Sequence, residues 1–217
     1  MSKAFIIAVV AASTFSTNVA ADVIQLHDAS ELSTQAFTAT FEGSTQGTRA
    51  NDLYAANGLQ FRNVGTATVP VFNWGAATSS PDFVIATARD LNGSVFTPYL
   101  DAVFSQPVYE VGAYFGNDPF GLFDFTQSLE VFNQLGDSLG IVSVLANFNR
   151  SVDQFIGLRS AVPFYMARFS NSSSTMAVVL DDVSFTAVVP VPEPPTCALA
   201  LVGLAGLFAA RRGTRPV

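Results

Sequence analysis

The sequence predicts an all-β body, an antiparallel β-sandwich spanning residues 22–187. Three observations predict it. Short runs alternate apolar and polar residues with period two. Turn-forming residues separate those runs about every ten positions. No long helical period appears between the two ends of the chain.

The alternating runs come in chain order. Phe37, Ala39 and Phe41 share one face. Leu100, Ala102 and Phe104 follow, and Val111, Ala113 and Phe115 resume after a break at Pro107. Leu129 and Val131 form a further run, and another extends from Leu139 to Ala146. Tyr165, Ala167 and Phe169 come next, then Met176 to Leu180 leading into Val183, Phe185 and Ala187. Turns are expected at Asn57-Gly58, Asn63 to Gly65, Leu91 to Ser94, Gly136-Asp137 and Asn171 to Ser174, with a long loop over 116–126. The chain holds 20 phenylalanines, which supply large apolar faces without polar groups to satisfy.

The two ends read differently from the body. Residues 1–21 have the order of a secretory signal peptide: Lys3, an apolar run from Ala4 to Ala12, then small residues before a cut after Ala21. Signal peptidase is the implied partner. A proline-rich linker and motif follow the body over 188–196. Residues 197–217 hold an apolar stretch, Cys197 to Ala210, and a basic end, Arg211, Arg212 and Arg215. As a helix that stretch is about 21 Å long, short of a hydrocarbon core of roughly 30 Å. It makes a poor permanent anchor and an adequate transient one, with the arginines on the cytoplasmic side.

Val191-Pro192-Glu193-Pro194, the short transmembrane helix and the arginine cluster, in this order, resemble the PEP-CTERM sorting signal of Gram-negative bacteria. The family's usual Ser after the triplet is Pro195 here. The resemblance implies recognition by an exosortase, cleavage near the motif, and delivery to the cell envelope, cell surface or medium of a polysaccharide-exporting bacterium.

Charge and cysteine content narrow the function classes. The body has no lysine and six arginines against sixteen acidic residues, a balance of −10. Such a surface repels phosphate backbones, so nucleic acid is excluded as a partner. The one cysteine, Cys197, lies in the tail, so the body has no disulfide, thiolate nucleophile or cysteine metal site. Its one histidine, His27, sits near the mature N-terminus without a nucleophile-elbow pattern. No motif selects a catalytic pair of carboxylates, and the body is expected not to be an enzyme.

Phe41-Glu42-Gly43, Gly47-Thr48, Tyr54, Gly58 to Phe61, Phe104 to Val108 and Leu180 to Phe185 resemble the opening, middle and closing strands of jelly-roll domains in exported bacterial proteins. That resemblance implies a jelly-roll-like sandwich. It also implies that acidic residues of the first and last strands, Glu42, Asp181 and Asp182, share a structural calcium ion, for which oxygen ligands are the right type. Trp74, in Asn73-Trp74-Gly75, is the candidate aromatic for stacking on a sugar ring. The expected function is therefore a non-catalytic surface or extracellular-matrix protein with polysaccharide as its ligand. The alternatives are a secreted carbohydrate-active hydrolase using two carboxylates, and a purely structural matrix component.

Overall fold

The computed structural model describes residues 22–34, 36–63, 68–73, 78–80, 83–87, 97–116, 125–147, 149, 151–173 and 176–187. The segments expected to form a signal peptide, linker, sorting motif and C-terminal transmembrane helix, and Trp74, lie outside the described residues. Among those described, no helix is long and apolar enough to cross a membrane.

The body is all-β and its strand ladders are antiparallel. Among the described residues ten strands carry it: β1 Val23–Leu26, β2 Phe37–Ala39, β3 Leu59–Arg62, β4 Val71–Asn73, β5 Phe83–Ala86, β6 Tyr99–Gly116, β7 Thr126–Phe132, β8 Ser138–Leu145, β9 Val152–Asn171 and β10 Val179–Ala187. The break expected at Pro107 does not divide two strands. It lies inside β6, which with β9 forms one long, bent pair. The β6–β9 register jumps between Val103↔Met166 and Val108↔Phe164, and Pro107 and Pro163 both sit at that corner. A proline inside a ladder is tolerated at such an irregularity, where no ladder hydrogen bond is lost.

The corner splits the pairing into two halves. In one, β9 from Val152 to Ser160 lies between β1 and the second half of β6, and β10 pairs with that half of β6. The far edge of β10 takes β2 and β5, and β5 takes β4. In the other, β3 pairs with the first half of β6, followed by the second half of β9, then β7 and β8. This is how strands turn the corner of a β-sandwich.

One core lies between the halves. Phe104 of β6 meets Phe185 of β10 with ring centroids 5.0 Å apart, and meets Phe164 of β9 at 6.0 Å. Phe41, Phe61, Phe115 and Phe169 are fully buried in the same cluster. The alternation read from β7 is observed: Leu129 and Val131 are buried while Ser128, Glu130 and Phe132 are half-exposed.

The first half of β9 breaks the alternation for a structural reason. Phe155, Ile156 and Leu158 are all buried. Ile156 and Leu158 face the main core. Phe155 lies on the outer face in a separate cluster with Leu26 and Leu32. Its ring lies over Gly112 and Gly157, which pair directly across β6 and β9. A Cβ at either glycine would come within 2.4 or 2.6 Å of that ring, so only glycine leaves it room.

Candidate functional site

The segment Leu180 to Phe185 forms a bulge in the β10–β6 ladder. The register breaks between Asp181↔Tyr114 and Ser184↔Gly112, and Asp182 adopts a left-handed φ of 46°. The bulge separates the fates of the two aspartates. Asp181 is fully buried. Its carboxylate accepts from the Ser79 hydroxyl at 2.8 Å, the Ser80 N–H at 3.0 Å, the Ser80 hydroxyl at 3.0 Å and the Asp182 N–H at 2.8 Å. The Ser80 hydroxyl also lies 3.3 Å from Glu42 Oε1, which accepts the Phe83 N–H at 3.0 Å. One serine thus links the carboxylates of Glu42 and Asp181.

Asp182 is half-buried, and its Oδ1 is enclosed with no hydrogen-bond partner. Burial, then the charge of Asp181, and least that of Glu42, push its carboxyl above the ordinary aspartate value, while the hydroxyls of Ser79 and Ser80 hold it back in part. The structure therefore brings the three residues expected to share calcium into one neighbourhood. The donors are all oxygen, as a hard cation requires. Their placement falls short of a ligand set: among the described residues, no group of three or more His, Cys, Asp or Glu side chains is positioned to hold a metal ion.

A second site lies where β1 meets β8 at the open edge of the sandwich. A cleft of about 490 Å³ is lined there by side chains of β1, β6, β8 and β9 and of the segments that follow β1 and β8, among them Gln25, Asp28, Tyr114, Asn147, Asp153 and Gln154. His27 also lines it, and its backbone N–H donates to Glu31 Oε1 at 3.1 Å. Ser143, another lining residue, pairs its hydroxyl with that of Ser128 at 2.9 Å. The Asp28 carboxyl is held below its ordinary value by the Ser30 N–H and then the Ser30 hydroxyl. A glycosidase acid requires the opposite displacement.

The polar wall of the cleft is cross-linked. The Asn147 N–H donates to Gln154 Oε1 at 3.0 Å, and Gln154 Nε2 donates to the Leu145 carbonyl at 2.7 Å. Asn149 Nδ2 donates to Asp153 Oδ2 at 2.8 Å. Tyr114 and Phe155, which also line it, meet edge to face with centroids 5.4 Å apart, and Phe155 is buried. Neither Tyr114 nor this wall stands out among the sequence motifs. The run Asn147, Asn149, Asp153, Gln154 packs four amide or carboxylate side chains into eight positions, which was a usable signal. Ser79 and Ser80 had none, since their partner lies about a hundred residues away in sequence.

Neither a family model nor a curated protein sequence matches the chain. Among solved structures it is similar to a DUF4465 family protein from Bacteroides caccae, at 12% identity over 76% of this chain and 100% of that one, with a TM-score of 0.42. It is similar to the K2 cleaved adhesin domain of Lys-gingipain at 13% identity, over 70% and 98% of the two chains, with a TM-score of 0.37. A third likeness, to the enzymatically active domain of tailspike protein 4 of bacteriophage CBA120, covers 60% of this chain and 19% of that one, at 15% identity and a TM-score of 0.33. At these distances the likenesses say nothing of what this chain binds.

Proposed function

We propose that this chain is an exported cell-surface or extracellular-matrix protein, sorted by an exosortase, with a jelly-roll-like body that binds polysaccharide without turning it over. The observation that carries the proposal is the ordered tail: Val191 to Pro194, a short apolar stretch, then Arg211, Arg212 and Arg215. Such a segment inserts transiently and stops at its basic end. Glu193 is the one charged residue of the motif and the natural feature for a protease to read. Glu193→Ala in the full chain should accumulate as uncleaved protein in the inner membrane, detected by fractionation and mass measurement. Normal processing of that variant would refute the sorting reading.

In a second reading Glu42, Asp181 and Asp182 share a calcium ion, for which the carboxylates would have to turn away from the Ser79, Ser80 and Phe83 donors they now accept. The enclosed, unpartnered Asp182 Oδ1 favours it. Added Ca²⁺ should then release or absorb heat in titration and raise the melting temperature. Neither signal would end this second reading.

A further inference from the structure

We propose that β8 is a self-association edge: two copies of this chain pair their β8 strands antiparallel about a two-fold axis at Val142, which joins two sandwiches through one continuous sheet. The inference goes beyond the proposed function and does not depend on what the body binds.

An edge strand presents a row of unpaired N–H and C=O groups. Folds keep such a row harmless by making it short, charged or interrupted by proline. β1, β2, β3 and β4 are three or four residues long, and β3 ends on Arg62. β8 has none of these protections. It runs for eight residues, Ser138 to Leu145, with no charge and no proline. Among the described residues its only ladder is with β7, and it stands at the end of the sheet.

The β7–β8 ladder fixes which groups point outward. The Ala146 N–H donates to the Phe125 carbonyl at 3.0 Å, one step beyond the Thr126↔Leu145 pair. Antiparallel pairs alternate between hydrogen-bonded and non-hydrogen-bonded. Val144, Val142 and Gly140 therefore turn their backbone groups toward β7, while Leu145, Ser143 and Ile141 turn theirs away. Two contacts agree with this. The Leu145 carbonyl accepts Gln154 Nε2 at 2.7 Å from outside the ladder, and the hydroxyls of Ser128 and Ser143 meet at 2.9 Å, as side chains of a non-hydrogen-bonded pair do. The side chains at the outward positions are also in water: Ile141 is 55% exposed and Leu145 60%.

A second β8 is the occupant that fits this edge. The body carries a balance of −10, so copies repel and are best joined along a strip free of carboxylates. β8 is such a strip, and Glu130, opposite Ile141 on β7, stands across from Arg168 of β9. With the axis at Val142, Ile141 lies opposite Ser143 of the second copy. The N–H and C=O groups of these two residues exchange four hydrogen bonds across the axis, without using the Leu145 carbonyl that Gln154 holds. Ile141 then reaches Leu145 of the second copy on the diagonal, and each covers apolar surface of the other.

Sedimentation equilibrium of the full-length protein in mild detergent, over about a hundredfold range of concentration, tests the pairing together with hydrogen exchange of residues 138–145. The expected result is a monomer–dimer equilibrium in which protection of 138–145 rises with the dimer. Ile141→Lys removes two isoleucines per dimer and sets two charges beside the axis. It should raise the dissociation constant about a hundredfold, tenfold for each chain. Leu53→Lys, at an exposed leucine outside β8, should leave the constant unchanged. Circular dichroism and melting at low concentration check that both variants fold. Should Ile141→Lys unfold, Ser143→Lys on the same outer face takes its place. A monomer at every concentration overturns the proposal. So does a dimer that survives the β8 substitution, or one that Leu53→Lys weakens equally, since the contact then lies on the tail or another surface. Protection of 138–145 that does not change with concentration also overturns it, because the edge would then be covered by the chain's own residues.

Discussion

Two buried carboxylates on the same pair of strands are stabilised in opposite ways. Glu110 of β6 stands directly across from Arg159 of β9, and their side chains meet at 2.6 Å. It also accepts the Ser33 N–H at 2.8 Å and the Thr186 hydroxyl at 3.1 Å. Burial alone would raise its carboxyl. The Ser33 N–H, then Arg159, then Thr186 hold it below the ordinary glutamate value. Asp181, near the other end of β10, is satisfied by hydroxyls and N–H groups, and its neighbour Asp182 is left with an unpartnered oxygen. The contrast separates two tasks. The Glu110 group ties the N-terminal segment to β6, β9 and β10 and leaves little unmet. The Asp181–Asp182 bulge leaves one enclosed carboxylate oxygen, Asp182 Oδ1, without a hydrogen-bond partner.

Replacing each carboxylate sharpens the contrast. Asp181→Ala removes the acceptor for the Ser79 hydroxyl, which is exposed and regains water, and for the N–H groups of Ser80 and Asp182 on the partly buried bulge. The expected loss is about 3–5 kcal/mol, because each stranded buried donor costs about 1–3 kcal/mol. Glu110→Ala should cost less, about 2 kcal/mol, since the Arg159 guanidinium is partly exposed and regains water. Urea unfolding of both variants measures the pair. Equal losses, or a larger loss at Glu110, would break the comparison.

The sequence anticipates the frame of the fold better than its joints. β7 is legible because Leu129 and Val131 bury one face while Ser128, Glu130 and Phe132 stay half-exposed, so the period of two survives in the residues. β8 is less so, since the run expected from Leu139 and Ile141 places Ile141 outside and Val142 in the core. The first half of β9 is illegible because Phe155 is covered from outside by the Leu26 and Leu32 cluster, which puts apolar residues on both faces. β1, β4 and β5 are three or four residues long, too short for a period to declare itself. The same limit applies to sites. The Leu180 to Phe185 segment marks Asp181 and Asp182 as unusual, yet nothing in it names Ser79 and Ser80. Glu110 and Arg159 become partners only through the β6–β9 register. The cleft is assembled from four strands and exists in no single stretch of chain.

The smallest effect expected is on pH dependence, and its sign differs between the two carboxylates. Glu110 has a lowered folded value. Its contribution is complete above the ordinary glutamate value and is lost as pH falls through the folded one. Asp182 has a raised folded value, so its charge opposes folding near neutrality. That opposition is relieved as pH falls through the folded value toward the ordinary aspartate one. Acidification from neutral pH should therefore raise the melting temperature slightly before Glu110 and the other carboxylates reverse the trend. Asp182→Asn tests this with little disturbance of the bulge, since asparagine tolerates the left-handed φ of 46°. The variant should gain a few tenths of a kcal/mol at neutral pH, the half-exposed carboxyl being screened by solvent. It should also lose the early rise. A rise that persists in the variant would place the unmet charge elsewhere. A variant less stable than the parent at neutral pH, in calcium-free buffer, would show that the ionised Asp182 carboxylate contributes to the fold and is not a charge held against it.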